Sequence, residues 1–100
     1  MRESESGFET KLVHAGAEKD PLGAVVTPIY QTSTFGFANV QEGADRFAGR
    51  DDGFIYTRLG NPTTRSLERC VAALEGGVDG VATSSGMGAV NIVYMALLGQ

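Results

Sequence analysis

No fold of this chain can ignore residues 88–98, GAVNIVYMALL. As a helix this segment is apolar on nearly every side, so it has no face to offer water and calls for cover all round. The apolar run from Met87 to Leu98 is too short to cross a bilayer, which takes about 20 such residues, and Asn91 and Tyr94 interrupt it. The expectation is a buried helix in a layered protein. A chain of 100 residues buries only a modest part of its surface, so supplying that cover is its first structural problem.

The residues leading into this helix say which layers to expect. Asn61-Pro62-Thr63 opens a helix with proline in its first turn. Within it Leu67, Val71 and Leu74 fall at offsets of four and three, with Cys70 beside them, and give one apolar face. Gly76-Gly77 ends it. Residues 78–83 are short and mostly apolar, a strand candidate, and 84–88, SSGMG, form a tight turn of small residues. Helix, strand, glycine turn and helix in this order predict the opening of an α/β fold with a parallel sheet, Gly99 closing the last helix.

The first sixty residues read differently. Residues 1–6 are polar and charged, a frayed terminus, and 8–14 form a short helix. DPLG at 20–23 is turn chemistry. Residues 24–37 are rich in β-branched and aromatic side chains, but Pro28 and Gly36 break the pattern, which predicts an extended arm with at most short strands. Residues 39–48 form a helix with Asn39 as its cap, ending near Gly49. RDDG at 50–53 turns the chain, and 54–58 is extended.

Charge and composition exclude several classes. The net charge is −4, and Arg46, Arg50, Arg58, Arg65 and Arg69 are scattered among acids, so no basic stripe exists to neutralise a nucleic-acid backbone. A single cysteine, Cys70, rules out an internal disulfide and fits a reducing compartment, and one histidine, His14, with one cysteine makes no zinc site. The opening MRESESGFETK lacks the apolar stretch of a secretory signal. The expected location is the cytoplasm.

Two residue groups carry chemistry. A glycine turn between strand and helix, here Ser84-Ser85-Gly86-Met87-Gly88, leaves the first helical N–H groups unpaired beside the positive end of the helix dipole. That arrangement is either a plain connection or an anion site for phosphate, with a serine hydroxyl as an extra donor. A dinucleotide loop needs a third glycine at position 91, which is Asn91, and no Gly-Lys-Ser/Thr follows for a nucleotide loop. The second group is Tyr56-Thr57-Arg58. Two residues apart in an extended stretch, Tyr56 and Arg58 leave on one face, either as a surface pair or as a phosphate clamp with a titratable phenol. His14, Cys70 and the Asp51-Asp52 turn read as structural.

The run GFIYTRLGNPT at 53–63, with LEGG at 74–77 and SSGMGA at 84–89, resembles the trans-sulfuration family of pyridoxal-phosphate enzymes, as do TKLVHAG at 10–16 and TPIYQTSTF at 27–35. The family contains methionine γ-lyase, cystathionine γ-lyase, cystathionine γ-synthase and O-acetylhomoserine sulfhydrylase. The resemblance implies the aspartate-aminotransferase type of fold (fold type I), with residues 1–60 as an arm crossing to the neighbouring subunit. Residues 61–100 then begin the cofactor domain. It implies tetramers of close dimers. Gly86 and Met87, with Ser85 adjoining, match the backbone positions that hold the cofactor phosphate. Tyr56 and Arg58 match the pair that reaches the phosphate across the dimer, and Tyr56 also matches a tyrosine implicated in proton transfer at the γ leaving group.

The family binds its cofactor through a lysine, and Lys11 and Lys19 match no such position. The resemblance therefore implies an N-terminal piece of a longer lyase or transferase, inactive alone, acting at the γ carbon of sulfur or O-acylated amino acids. Overall likeness leans to the methionine γ-lyase branch. Another reading is a non-catalytic dimerisation or phosphate-binding module.

Overall fold

A computed structural model describes residues 7–99, which form four helices: α1 (Phe8–His14), α2 (Val40–Phe47), α3 (Pro62–Glu75) and α4 (Gly86–Leu97). The expected frayed terminus at 1–6 lies outside the described residues. The helix boundaries follow from local chemistry. Asn39 Oδ1 accepts the Glu42 N–H at 2.8 Å, while Glu42 reaches back to the Ala38 N–H at 3.3 Å, so donors at the start of α2 are satisfied from both directions. Asn61 Oδ1 accepts the Thr63 N–H at 2.9 Å, and Pro62 occupies the first turn of α3, where a missing N–H costs nothing. Gly76 ends α3 with φ of 66°, a left-handed conformation that glycine adopts without penalty. The turn at 20–23 is held by Asp20, whose carboxylate accepts the Leu22 and Ala24 N–H groups.

The tightest packing lies between α1 and α3. Gly16 follows α1 with φ of 83°, and a Cβ there would stand 2.2 Å from the Ser66 carbonyl oxygen, so only glycine lets α3 approach this closely. Ala15 is buried beside it, and Cys70 on α3 is half-buried with its thiol toward the Lys11 carbonyl at 3.7 Å. Leu67 and Val71, read as the apolar face of α3, remain about half exposed.

The arm attaches to α3 mostly through hydroxyl groups. Thr27 and Ser66 share a hydrogen bond of 3.0 Å. Thr63 Oγ1 accepts the Tyr30 N–H at 2.9 Å and donates to the Pro28 carbonyl at 3.0 Å. Further along, the arm meets the returning chain at an antiparallel bridge between Thr34 and Tyr56, flanked by Phe35 N–H to Ile55 O and Thr57 N–H to Ser33 O. This is the single short pairing that an arm broken by Pro28 and Gly36 allows. Between the two sides of the bridge, α2 forms an excursion closed by Arg46. Its guanidinium donates to the Phe54 carbonyl at 2.9 Å, pairs with Glu42 and lies 5.3 Å from the Phe37 ring centre.

Three expectations change. Residues 78–83 run without a ladder partner among the described residues and form no strand; the Ala82 N–H goes instead to Glu68 Oε2 at 2.8 Å. Arg65 ties the same segment down by bonding both Glu68 and Asp79. This guanidinium, with the Gly80 N–H assisting, holds the Asp79 carboxyl below its ordinary range. The apolar helix starts at Gly86, inside the expected turn, and ends with Leu98 rather than Gly99 as its cap. It is also uncovered: Val90, Ile92, Val93 and Leu97 are 46 to 78% exposed, because no described element encloses them. Among the described residues no helix is long and apolar enough to cross a membrane.

Candidate functional site

The Tyr56 and Arg58 side chains meet, though by a different route from the one the spacing implied. Tyr56 ends the bridge with Thr34, and the chain then turns, with the Leu59 and Gly60 N–H groups returning to the Tyr56 carbonyl at 2.9 and 3.1 Å. Arg58 therefore sits on a turn and not on a strand. Its guanidinium carbon lies 5.4 Å from the centre of the Tyr56 ring. Both residues line an open hollow of about 570 Å³, together with Tyr30, Gln31 and Thr32.

Charge pairing singles out Arg58. Arg46 is paired with Glu42, Arg50 with Asp45, Arg65 with Glu68 and Asp79, and Arg69 with Glu18. Among the described residues, Arg58 is the arginine with no carboxylate partner. A guanidinium left exposed beside a phenol is available to an external anion.

The second group lies at the start of α4. Ser85 caps the helix, its Oγ accepting the Gly88 N–H at 3.0 Å, and Thr83 Oγ1 donates to the Ser85 carbonyl at 2.7 Å. With Gly88 engaged, the N–H groups of Gly86 and Met87 are left without partners among the described residues. A Cβ on Gly86 would meet nothing within 4 Å, so the approach to these donors is open. Ser85, Met87, Gly88, Asn91 and Tyr94 line a hollow of about 390 Å³ here.

The structure thus brings Tyr56 together with Arg58, and Ser85 with Gly86 and Met87. The hollows of the two groups share no residue. His14 is exposed, and no group of potential metal ligands assembles among the described residues. Sequence reasoning used Asn61 only as a helix cap. It is 4% exposed, and its Nδ2 donates to the Tyr30 carbonyl at 2.9 Å and to Thr57 Oγ1 at 3.0 Å.

Unpaired N–H groups at a helix start and an arginine without a carboxylate partner are each able to receive an anion. The chain belongs to the Cys/Met metabolism PLP-dependent enzyme family, whose model matches residues 9–100. It is 51% identical over 86 residues to the L-methionine gamma-lyase of Porphyromonas gingivalis, covering 86% of this chain and 22% of that protein. It is 45% identical over 94 residues to the O-acetyl-L-homoserine sulfhydrylase of Corynebacterium glutamicum, covering 93% of this chain and 22% of that one. Among solved structures, the metY protein of Campylobacter jejuni, which carries a pyridoxyl-lysine monophosphate, superposes with a TM-score of 0.85 at 34% identity. That match covers 91% of this chain and 22% of the other.

The chain spans about a quarter of the length of the curated relatives it matches. Its fold is the N-terminal part of the fold type I architecture of pyridoxal-phosphate enzymes.

Proposed function

We propose that this chain is the N-terminal part of a pyridoxal-phosphate-dependent enzyme acting at the γ carbon of sulfur or O-acylated amino acids, with elimination from methionine as its reaction. The observation that carries this reading is Arg58, exposed, unpaired and set against Tyr56, where every other described arginine has a carboxylate partner. The residues fit a phosphate. The Gly86 and Met87 N–H groups have no partner among the described residues, a Cβ on Gly86 would meet nothing within 4 Å, and the Ser85 hydroxyl, which accepts from Gly88, keeps its own proton to donate. Arg58 adds a planar pair of donors and a compensating charge. The bound cofactor supplies an electron sink for substrate carbanions. Tyr56 lies beside the guanidinium, positioned to hold and move the proton at the γ leaving group.

In this reading residues 1–60 are an arm that crosses to a neighbouring subunit, and the cofactor domain begins at residue 61. The enzyme is a cytoplasmic homotetramer of close dimers that share their sites. The two hollows share no residue, and in this reading the crossing brings one group from each subunit to a single phosphate. The likeness to an O-acetyl-L-homoserine sulfhydrylase favours a second reading, replacement at the same carbon from an O-acylated substrate.

Complementation tests the shared site. Arg58→Ala in the full-length enzyme weakens cofactor binding by about 1.5–3 kcal/mol, the worth of a hydrogen bond to a charged group. A variant lacking the cofactor-binding lysine is inactive. Co-refolding the two gives half mixed dimers at random pairing, and in each mixed dimer one site carries both defects and the other neither, so about a quarter of wild-type activity returns. Activity that stays at the level of the parents refutes the crossing arm.

A further inference from the structure

Asn61 does more than a helix cap requires. An N-cap needs one acceptor, and aspartate or serine supplies it as well as asparagine does. Here Oδ1 performs that service for the Thr63 N–H, while both hydrogens of the Nδ2 amide are spent elsewhere, on the Tyr30 carbonyl and on Thr57 Oγ1. Asn61 is 4% exposed, so its amide donors are shielded and leaving either one unpaired is costly.

The partners give the arrangement its meaning. Thr57 lies between Tyr56 and Arg58, and its hydroxyl passes the restraint on by donating to the Thr32 carbonyl, while its N–H bonds the Ser33 carbonyl. Tyr30 and Thr32 line the same hollow as Tyr56 and Arg58. One carboxamide thus joins the first turn of α3, the arm and the turn that carries the pair.

We propose that Asn61 is the positioning residue for Tyr56 and Arg58: its two amide hydrogens fix the distance and angle between the turn and the arm, and so aim both side chains at a phosphate. This inference rests on the reading of Arg58 as a phosphate ligand. Asn61 itself touches no ligand; it acts through Thr57.

The test uses the full-length protein, and Asn61→Asp and Thr57→Val as variants. The first keeps the acceptor that caps α3 and removes both donors, placing a carboxylate oxygen against the Tyr30 carbonyl. The second leaves Asn61, the cap and the Tyr30 bond in place and removes the link to the turn, together with the bond that the Thr57 hydroxyl passes on to the Thr32 carbonyl. Asn39→Ala, which removes the cap of α2 away from the hollow, is the control for loss of stability alone, and Arg58→Ala is the control for the site. The readouts are the dissociation constant of pyridoxal phosphate from the apoenzyme, the phosphorus-31 resonance of the bound phosphate and the thermal midpoint of the apoenzyme.

The dissociation constant should rise about tenfold in Asn61→Asp and about fivefold in Thr57→Val, the scale of one lost hydrogen bond. The phosphorus resonance should shift in both. Asn39→Ala should lower the midpoint and leave both cofactor readouts unchanged. If Asn61→Asp yields no folded protein, Thr57→Val decides alone. Binding within twofold of wild type in Thr57→Val, with Arg58→Ala still weakened, overturns the role of Asn61. Unchanged binding in Arg58→Ala overturns the reading of Arg58, and this inference with it.

Discussion

Separating residues 1–100 from the remainder of a full-length enzyme should leave a polypeptide that does not fold cooperatively, and the geometry gives the size of the deficit. A compact chain of 10.5 kDa exposes about 5,400 Å², whereas this one exposes 8055 Å². The radius of gyration agrees, at 15.8 Å against about 13 Å for a compact chain of this length. The difference is on the order of 2,500 Å², somewhat over half of it apolar by the usual composition of protein surface. At about 25 cal/mol per Å² the missing burial is worth roughly 30 kcal/mol, and a folded domain has a net stability of only about 5–15 kcal/mol. Ile92, Val93 and Leu97 on α4, which line one hollow together, contribute to the deficit. Sedimentation velocity and urea titration followed by circular dichroism provide the assay. Association or a gradual, non-cooperative loss of helix is expected. A monomer with one sharp transition and a slope of about 1 kcal/mol/M would show that α4 needs no cover, and would refute the reasoning.

Two further outcomes follow from single residues. Gly86→Ala places a methyl group where, apart from the adjoining residues and the helix's own backbone, no atom lies within 4 Å and where the backbone is not left-handed, so stability should change by no more than about 1 kcal/mol. The same methyl crowds the free N–H groups, and titration of the full-length apoenzyme should show cofactor affinity reduced about tenfold; undiminished affinity removes this turn from the site. The Asp79 carboxyl is held below its ordinary value of 3.8, first by the Arg65 hydrogen bond and then by the Gly80 N–H. A carboxyl lowered on folding stabilises the native state above its unfolded pKa, and that stabilisation is lost as pH falls through the folded value. The protection of the Gly80 and Ala82 amides, measured relative to their intrinsic exchange rates, should therefore fall below about pH 4 in wild type and not in Asp79→Asn, modestly because the pair is exposed and screened by salt.

What was legible in the sequence was whatever neighbouring residues decide among themselves. Asn39, Asn61-Pro62 and Gly76 mark helix ends because caps and left-handed glycines act within a few residues, and the structure places them as read. Residues 78–83 and α4 were read for the environment they require, a ladder partner and full cover, and the described residues supply neither. Tyr56 and Arg58 were paired by a two-residue period, yet the turn over Thr57 and Leu59 brings them together, a bend forced by two N–H groups converging on the Tyr56 carbonyl. The donors of Asn61 were invisible for a plainer reason: one of its partners, Tyr30, is 31 residues away, and nothing local distinguishes an asparagine that caps from one that also clamps.

The hydroxyl seam between the arm and α3 has a consequence for how the arm is seated. Grease tolerates sliding, since a valine displaced by one residue finds another apolar neighbour at little loss. Thr27 on Ser66, and Thr63 on both Pro28 and Tyr30, do not. A shift of one residue along the arm would reverse which groups face α3 and strand several donors and acceptors together. The seam therefore works as a key and not as an adhesive: it contributes little holding strength, but it admits one alignment of the segment that delivers Tyr30 to the hollow and rejects the next.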